Sequence, residues 1–153
     1  MKFLGKINNR EIKYLEFSLT EPWYDSLPSK DWLLFVIAEE KNLNYFQEVI
    51  SKSLENDVAY LSCTGKSGEY FHDIFNEEIA FREADIEPHY LPDHFIITVW
   101  NQDLKEALWF ATKLAVNDKV QIDIIICIDL SENKANNQKE LKRTIQELSS
   151  SFS

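Results

Sequence analysis

Glycine is nearly absent, with three residues in a chain of 153. That scarcity excludes the glycine-rich loops that wrap nucleotide phosphates, because no G-x-G-x-x-G can be assembled from so few. The nearest approach is the stretch CTGKSG, Cys63 to Gly68. A G-x-x-x-x-G-K-[ST] loop needs its first glycine five residues before the second. Here that position is Tyr60, inside an apolar run. Gly65-Lys66-Ser67 is the end of such a loop without its body, so nucleoside-triphosphate hydrolysis is not expected.

Cysteine is also scarce. The two residues, Cys63 and Cys127, lie far apart, and Cys127 sits within the apolar run IIICI, where a free buried thiol is the ordinary arrangement. A reducing, cytoplasmic setting is expected. The three histidines, His72, His89 and His94, have no second His or Cys at metal-ligand spacing, so neither a metal nor another cofactor is expected. No run approaches the roughly 18 apolar residues of a membrane span. The opening MKFLGKINNREIKY lacks the apolar stretch of a signal peptide. Positive charge is in short supply too: 16 Lys and Arg against 26 Asp and Glu give a net charge of -10. Such a surface repels nucleic acid and anionic membranes and attracts basic partners.

What the chain does have is apolar residues, 44% of the total, enough for one core in one domain spanning 1–153. KFLGKI and REIKYLEF flank Asn8-Asn9, which tolerate the positive φ of a tight hairpin turn. SLTEPWYDSLPSKD, with two of the four prolines, reads as a loop pinned down by Trp23 and Tyr24. Then a rhythm begins. WLLFVIA, VAYLSC, HFIITVW and VQIDIIICIDL read as four core strands. Between them lie helices. The first, 42 to 55, carries Leu43, Phe46, Ile50 and Leu54 at helical spacing, with Asn44 and Gln47 as a capping pair. The second is capped by Ser67 and buries Tyr70, Phe71, Ile74 and Phe75. EIAF is either its end or a short edge strand. The third is capped by Asp103 and Glu106 and runs to about Val116, and a last helix over about 137 to 149 carries Leu141, Ile145 and Leu148. The closing SSSFS is expected to fray. Alternating strands and helices imply an α/β fold: an open, mostly parallel, Rossmann-like sheet with helices on both faces, an N-terminal β-hairpin and a C-terminal helix.

The acids are unevenly placed. Residues 69 to 93 hold eight of them and one base, Arg82, which is -7 of the total -10. Glu77, Glu78, Glu83, Asp85 and Glu87 form its dense part; they are either a solvated face or a docking surface for a cation. Trp109 points away from the stripe of Leu104, Ala107, Leu108, Ala111, Leu114 and Ala115. It is either covered by the hairpin or the last helix, the commoner arrangement, or a contact anchor.

Two weaker patterns remain. Thr64, Gly65, Lys66 and Ser67 join a strand end to a helix start, where open α/β sheets bind ligands and free amides favour an anion. A simple turn and cap is the more frequent use of such residues. Cys63 to Ser67, together with His72 and Trp100 to Asp103, would form the site of an enzyme or small-ligand binder. Cys63 followed by His72 could pair as nucleophile and base, but no third group orients them. His72-Asp73 reads as a polar helix face, since neighbours on a helix point in different directions.

HDIFNE after the second strand and TVWNQDLKEALWF around the third resemble a family of small bacterial α/β domains over about 32 to 130. The resemblance implies a Rossmann-like fold and brings no activity or catalytic residues. By type, a small acidic single domain without an evident active site is similar to the immunity proteins of contact-dependent growth inhibition. That resemblance implies a protein, not an enzyme, that neutralises a toxin, most simply a basic nuclease, through complementary charge. The partner-binding residues would then be Glu77, Glu78, Glu83, Asp85, Glu87 and Trp109.

Overall fold

The computed structural model describes residues 1–150. Its sheet has six strands in the order β1-β2-β6-β3-β4-β5. These are β1 (Lys2–Ile7), β2 (Arg10–Tyr14), β3 (Trp32–Ile37), β4 (Tyr60–Thr64), β5 (Ile97–Trp100) and β6 (Ile124–Asp129). Only β1 and β2 are antiparallel; from β2 to β5 every pairing is parallel. The helices are α1 (Leu43–Glu55), α2 (Gly68–Ala84), α3 (Leu104–Lys113) and α4 (Lys134–Ser150). The mixed, mostly parallel Rossmann-like sheet follows the strand–helix alternation of the sequence.

Every residue of β3 and β4 is buried. Both faces of these central strands must therefore be covered, as parallel strands require. On one face, Phe46, Val49 and Ile50 of α1 and Phe71 and Phe75 of α2 pack with Leu34, Val36 and Leu61. On the other, Ala107, Leu108 and Ala111 of α3 and Leu141, Ile145 and Leu148 of α4 pack with Leu33, Phe35 and Ile125. Trp23 of the proline-marked loop is buried against the first cluster beside Phe17, and Tyr24 packs partly buried on it.

The helix boundaries differ from the sequence reading in ways the hydrogen bonds explain. The cap of α1 is Asn42, whose Oδ1 accepts from the Tyr45 N–H at 3.1 Å, rather than the Asn44–Gln47 pair. EIAF is helical: α2 continues through it, with Arg82 reaching back one turn to Glu78 at 3.5 Å. Ser67 stands at the N-cap of α2, but its hydroxyl donates to the Glu39 carbonyl instead of accepting a helix amide. HFIITVW is not a core strand. Only Ile97–Trp100 is extended, and it forms the sheet edge, half-exposed because β4 is its single partner. The last helix starts at Lys134 and continues through Ser149 and Ser150; residues 151–153 lie outside the described residues.

Asp103 caps α3 as expected, its carboxylate accepting from the Glu106 N–H at 3.0 Å. The helix stops at Lys113, short of Val116, because the hairpin takes over its last carbonyls. Asn8 and Asn9 turn the hairpin with φ of 52° and 64°. That turn aims Asn8 at the Thr112 carbonyl (3.1 Å) and the Arg10 guanidinium at the carbonyls of Ala111 and Ala115. A fixed positive charge at a helix C-terminus also complements the helix dipole. Removing it leaves two carbonyls in a half-buried site. Arg10→Ala is expected to lower stability by about 2 kcal/mol, since bonds from a charged donor contribute roughly 1.5–3 kcal/mol. Urea unfolding monitored by circular dichroism checks this.

Candidate functional site

The strand order defines where an open α/β sheet would form a crevice. From β3 the chain moves outward through β4 to β5, then crosses back to place β6 on the other side of β3. The carboxyl ends of β3 and β6 are therefore the topological switch point. Three acids meet there: Glu39, Glu40 and Asp129. Each is used within the protein. The Glu39 N–H donates to Ser131 Oγ at 3.2 Å, and its carboxylate accepts from the Lys66 N–H at 3.3 Å. Glu40 accepts from the Glu132 N–H at 3.1 Å. Asp129, buried, accepts from the Ser131 N–H at 2.9 Å and from Asn137 Nδ2 at 3.1 Å. The cavity at this end is lined by Glu40 and Glu132 together with Lys41 and Lys134, so its charge is mixed.

In the strand-end loop Thr64–Ser67 the Lys66 side chain is exposed, while Thr64 and Ser67 are buried and bonded within the protein. Thr64 Oγ1 donates to the Gln102 carbonyl at 3.3 Å. The Ser67 N–H donates to Ala38 at 2.8 Å and the Gly68 N–H to Gly65 at 3.0 Å. The carboxylate at the loop is Glu39, the protein's own. Gly65 adopts φ of 98°, and a Cβ there would stand 2.4 Å from the Ala38 carbonyl oxygen. Its role is to let β4 turn against the end of β3.

Cys63 and His72 do not form a nucleophile–base pair. The Cys63 thiol is fully buried, and burial pushes its pKa well above the ordinary value, which keeps it a thiol. Both ring nitrogens of His72 have other partners. Nδ1 lies 3.1 Å from Asp73 Oδ1, so these neighbours do meet, contrary to the expectation from helical geometry. Nε2 lies 3.2 Å from Thr98 Oγ1 and 3.4 Å from Asn76 Nδ2. The His72 side chain ties α2 to the edge strand. Among the described residues, no group of three or more His, Cys, Asp or Glu side chains could hold a metal ion, and no helix is long and apolar enough to cross a membrane.

The acidic segment has a different character. Glu77, Glu83 and Glu87 are exposed, while Glu78 is half-buried beside Arg82. Asp85 caps the end of α2 and pairs with His89 at 2.6 Å. The hydrogen bond from His89 holds the Asp85 carboxyl below the usual carboxylate range. Set among these acids are apolar side chains that do not join the core: Phe81 is 53% exposed, Ile86 99%, Tyr90 50% and Phe95 84%. Phe81 and His89 rings lie 5.4 Å apart, Arg82 donates to the Tyr90 carbonyl at 2.9 Å, and the Tyr90 hydroxyl donates to Asp57. These contacts hold the loop after α2 against the ends of α1 and α2. A groove of about 380 Å³ between the two helices continues the face. Trp109 is not part of it. It lies on α3, across the sheet, where it is 41% exposed and not covered by the hairpin or α4.

The sequence reading missed the exposed apolar set. Its signal was present: Phe81, Ile86, Tyr90 and Phe95 fall outside the Phe71–Phe75 stripe and alternate with acids. Asp129 had a signal as well, an acid closing the apolar run IIICI. Burial raises the Asp129 pKa, partly offset by the bonds from Ser131 and Asn137. A carboxyl whose folded pKa is raised holds its proton more tightly in the folded state. Its contribution to stability is then greatest at low pH and declines as pH rises from the ordinary carboxylate range through the raised value. The difference in Tm between wild type and Asp129→Asn is expected to shift in favour of wild type as pH is lowered across that window. Thermal unfolding followed over pH 3 to 7 checks it.

A family model described as a domain of unknown function (DUF7684) matches residues 12–147, which covers the sheet from β2 and all but the last turn of α4. No curated protein matches the chain.

Proposed function

The chain belongs to the DUF7684 family of domains of unknown function, and from that premise we propose that it is a binding protein that docks a cationic protein partner on the acidic face of α2 and its following loop. Neutralisation of a basic toxin, most simply a nuclease, is the form of this reading that fits best: a nucleic-acid-binding surface must be basic, and an acidic face can steer to it and cover it. The observation that carries the reading is the set of exposed apolar side chains, Phe81, Ile86, Tyr90 and Phe95, placed among carboxylates. A solvated face built for solubility alone gains nothing from an isoleucine that is almost wholly in water. Aromatic anchors ringed by charge are the composition of protein interfaces. The crevice at the strand ends gives the enzymatic alternative less support, because the Lys66, Ser67 and Gly68 amides of its loop are bonded within the protein.

The test is co-expression with the products of the genes flanking its own. A stable complex and relief of the partner's toxicity support the reading. Absence of both for every flanking product counts against it. Glu83→Lys with Asp85→Lys changes the net charge by four units within the densest acidic stretch. This variant is expected to stay folded with a lower Tm, because Glu83 is exposed but Asp85 also pairs with His89 at the end of α2, so binding is compared at a temperature well below both transitions. Binding should weaken by about 2–5 kcal/mol if the pair is desolvated, or associate more slowly with an altered salt dependence if it lies at the rim. Unchanged rate and affinity across salt concentrations would leave the acids as a solubilising face only.

A further inference from the structure

The groove between α1 and α2 has features that neither charge nor apolar area explains alone. Its floor is Ile50 and Ile74, one wall is the exposed ring of Phe81, and its rim carries Glu77, Glu78 and the amide of Gln47. A purely aliphatic anchor entering here would strip water from two carboxylates without replacing their hydrogen bonds. A small inorganic cation would leave the ring and both isoleucines idle. The occupant that suits all parts is a side chain with an apolar stem and a cationic head. Of the two natural candidates, guanidinium matches better. It is weakly hydrated, stacks on an aromatic face, and has five in-plane donors to distribute among several acceptors. An ammonium is more strongly hydrated and has no flat face to set against Phe81.

The surroundings reinforce the choice. Arg82 already shows how this neighbourhood holds a guanidinium: its side chain lies between Glu78 at 3.5 Å, Ser51 Oγ at 3.1 Å and the Tyr90 carbonyl at 2.9 Å. Among the described residues the exposed Glu77 carboxylate, which lines the groove, is in no ion pair. The volume, about 380 Å³, admits one long side chain with its water. The segment's charge of -7 raises the local concentration of a cation before contact.

We propose that this groove is the receptor for an arginine side chain presented by the protein partner, its methylene stem on the partly exposed Ile74, its guanidinium between the ring of Phe81 and the carboxylate of Glu77. The inference rests on the acidic-face reading but can fail separately from it.

The test uses the whole protein, labelled with nitrogen-15, titrated with Nα-acetyl-arginine N-methylamide and, in parallel, with the corresponding lysine and citrulline compounds. The expected result is saturable amide shifts confined to the residues around Ile50, Ile74, Glu77 and Phe81, with a dissociation constant on the order of 1 mM for the arginine compound. The citrulline compound, uncharged but of the same shape, should produce none, and the lysine compound should bind more weakly. Phe81→Ala, at an exposed position, is expected to weaken arginine binding about three-fold, the range of an exposed cation–π contact, and Glu77→Gln by a similar factor. Shifts spread evenly over all the acidic residues, equal binding of lysine, binding of citrulline, or no shifts would each overturn the inference. If the groove stays silent while Glu83→Lys with Asp85→Lys still disrupts a partner complex, the acidic-face reading stands and the arginine assignment falls. If the groove responds but no flanking product forms a complex, the groove's preference for arginine stands, and its assignment to a protein partner falls with the acidic-face reading.

Discussion

A strand with no polar side chain cannot lie on a protein surface, and Trp32–Ile37 is such a strand. All six of its residues are buried. Burying one face of β3 requires one layer of helices, and burying both requires two. The order of the sheet follows. β4 and β6 lie directly on either side of β3, which keeps its backbone groups paired along its whole length. Parallel neighbours need crossovers, and the crossovers are the helices. Even the indole of Trp32 is satisfied, donating to the Asn56 carbonyl at the end of α1 at 2.8 Å. The two apolar clusters, each built on alternate residues of this strand, make the remaining elements dependent on it.

The same constraint shapes the strand ends. β3 and β6 each run straight from apolar residues into acids, Glu39-Glu40 and Asp129. These acids close the switch point by accepting amides from the segments that follow. In a nucleotide-binding sheet the equivalent amides point outward to phosphate, and glycines allow the approach. Here Gly65 serves the turn alone, and its φ of 98° with the Ala38 carbonyl close behind leaves it no other role. The helix layer formed by α1 and α2 is where charge and exposed apolar area coincide.

How much of this the residues disclosed in advance depends on what each signal measures. Burial on both faces was legible for WLLFVI and IIICI, because a run without polar residues has one physical solution. The Asn8-Asn9 turn was legible, because few non-glycine residues accept positive φ at two successive positions. HFIITVW was misread for a reason of the same kind. Its composition is that of a core strand, but the number of neighbours a strand has is a property of sheet order, which composition does not encode. The caps failed differently. Asn42 and Asn44 are equivalent by type, and only the φ of -136° at Asn42 decides which one begins the helix. Ser67 was in the right place and made a different bond, because the carbonyl of Glu39, 28 residues earlier, lies within its reach. The end of α3 was beyond any local signal, since it depends on Arg10, about a hundred residues away in the chain. The acidic cluster was visible as charge; its apolar residues were visible as lying off the Phe71–Phe75 stripe, but their exposure was fixed only once the core had been filled without them.

Charge and apolar area do different work on such a face, and together they specify more than either does. The carboxylates act at a distance of about one Debye length, roughly 8 Å at physiological salt, and so govern how fast a cationic partner arrives. They supply little net affinity once desolvated, because the cost of removing a charge from water offsets much of the attraction. Affinity must come from contacts made after arrival, and Phe81, Ile86, Tyr90 and Phe95 are the groups available to make them. The loop that holds three of the four is fixed by Arg82 and by the bond from Tyr90 to Asp57, so part of its ordering cost is met before binding. On the proposed reading, a face arranged in this way would distinguish a basic folded partner from a merely basic polymer. Both would be attracted, but only a partner with apolar side chains at matching positions gains from the anchors.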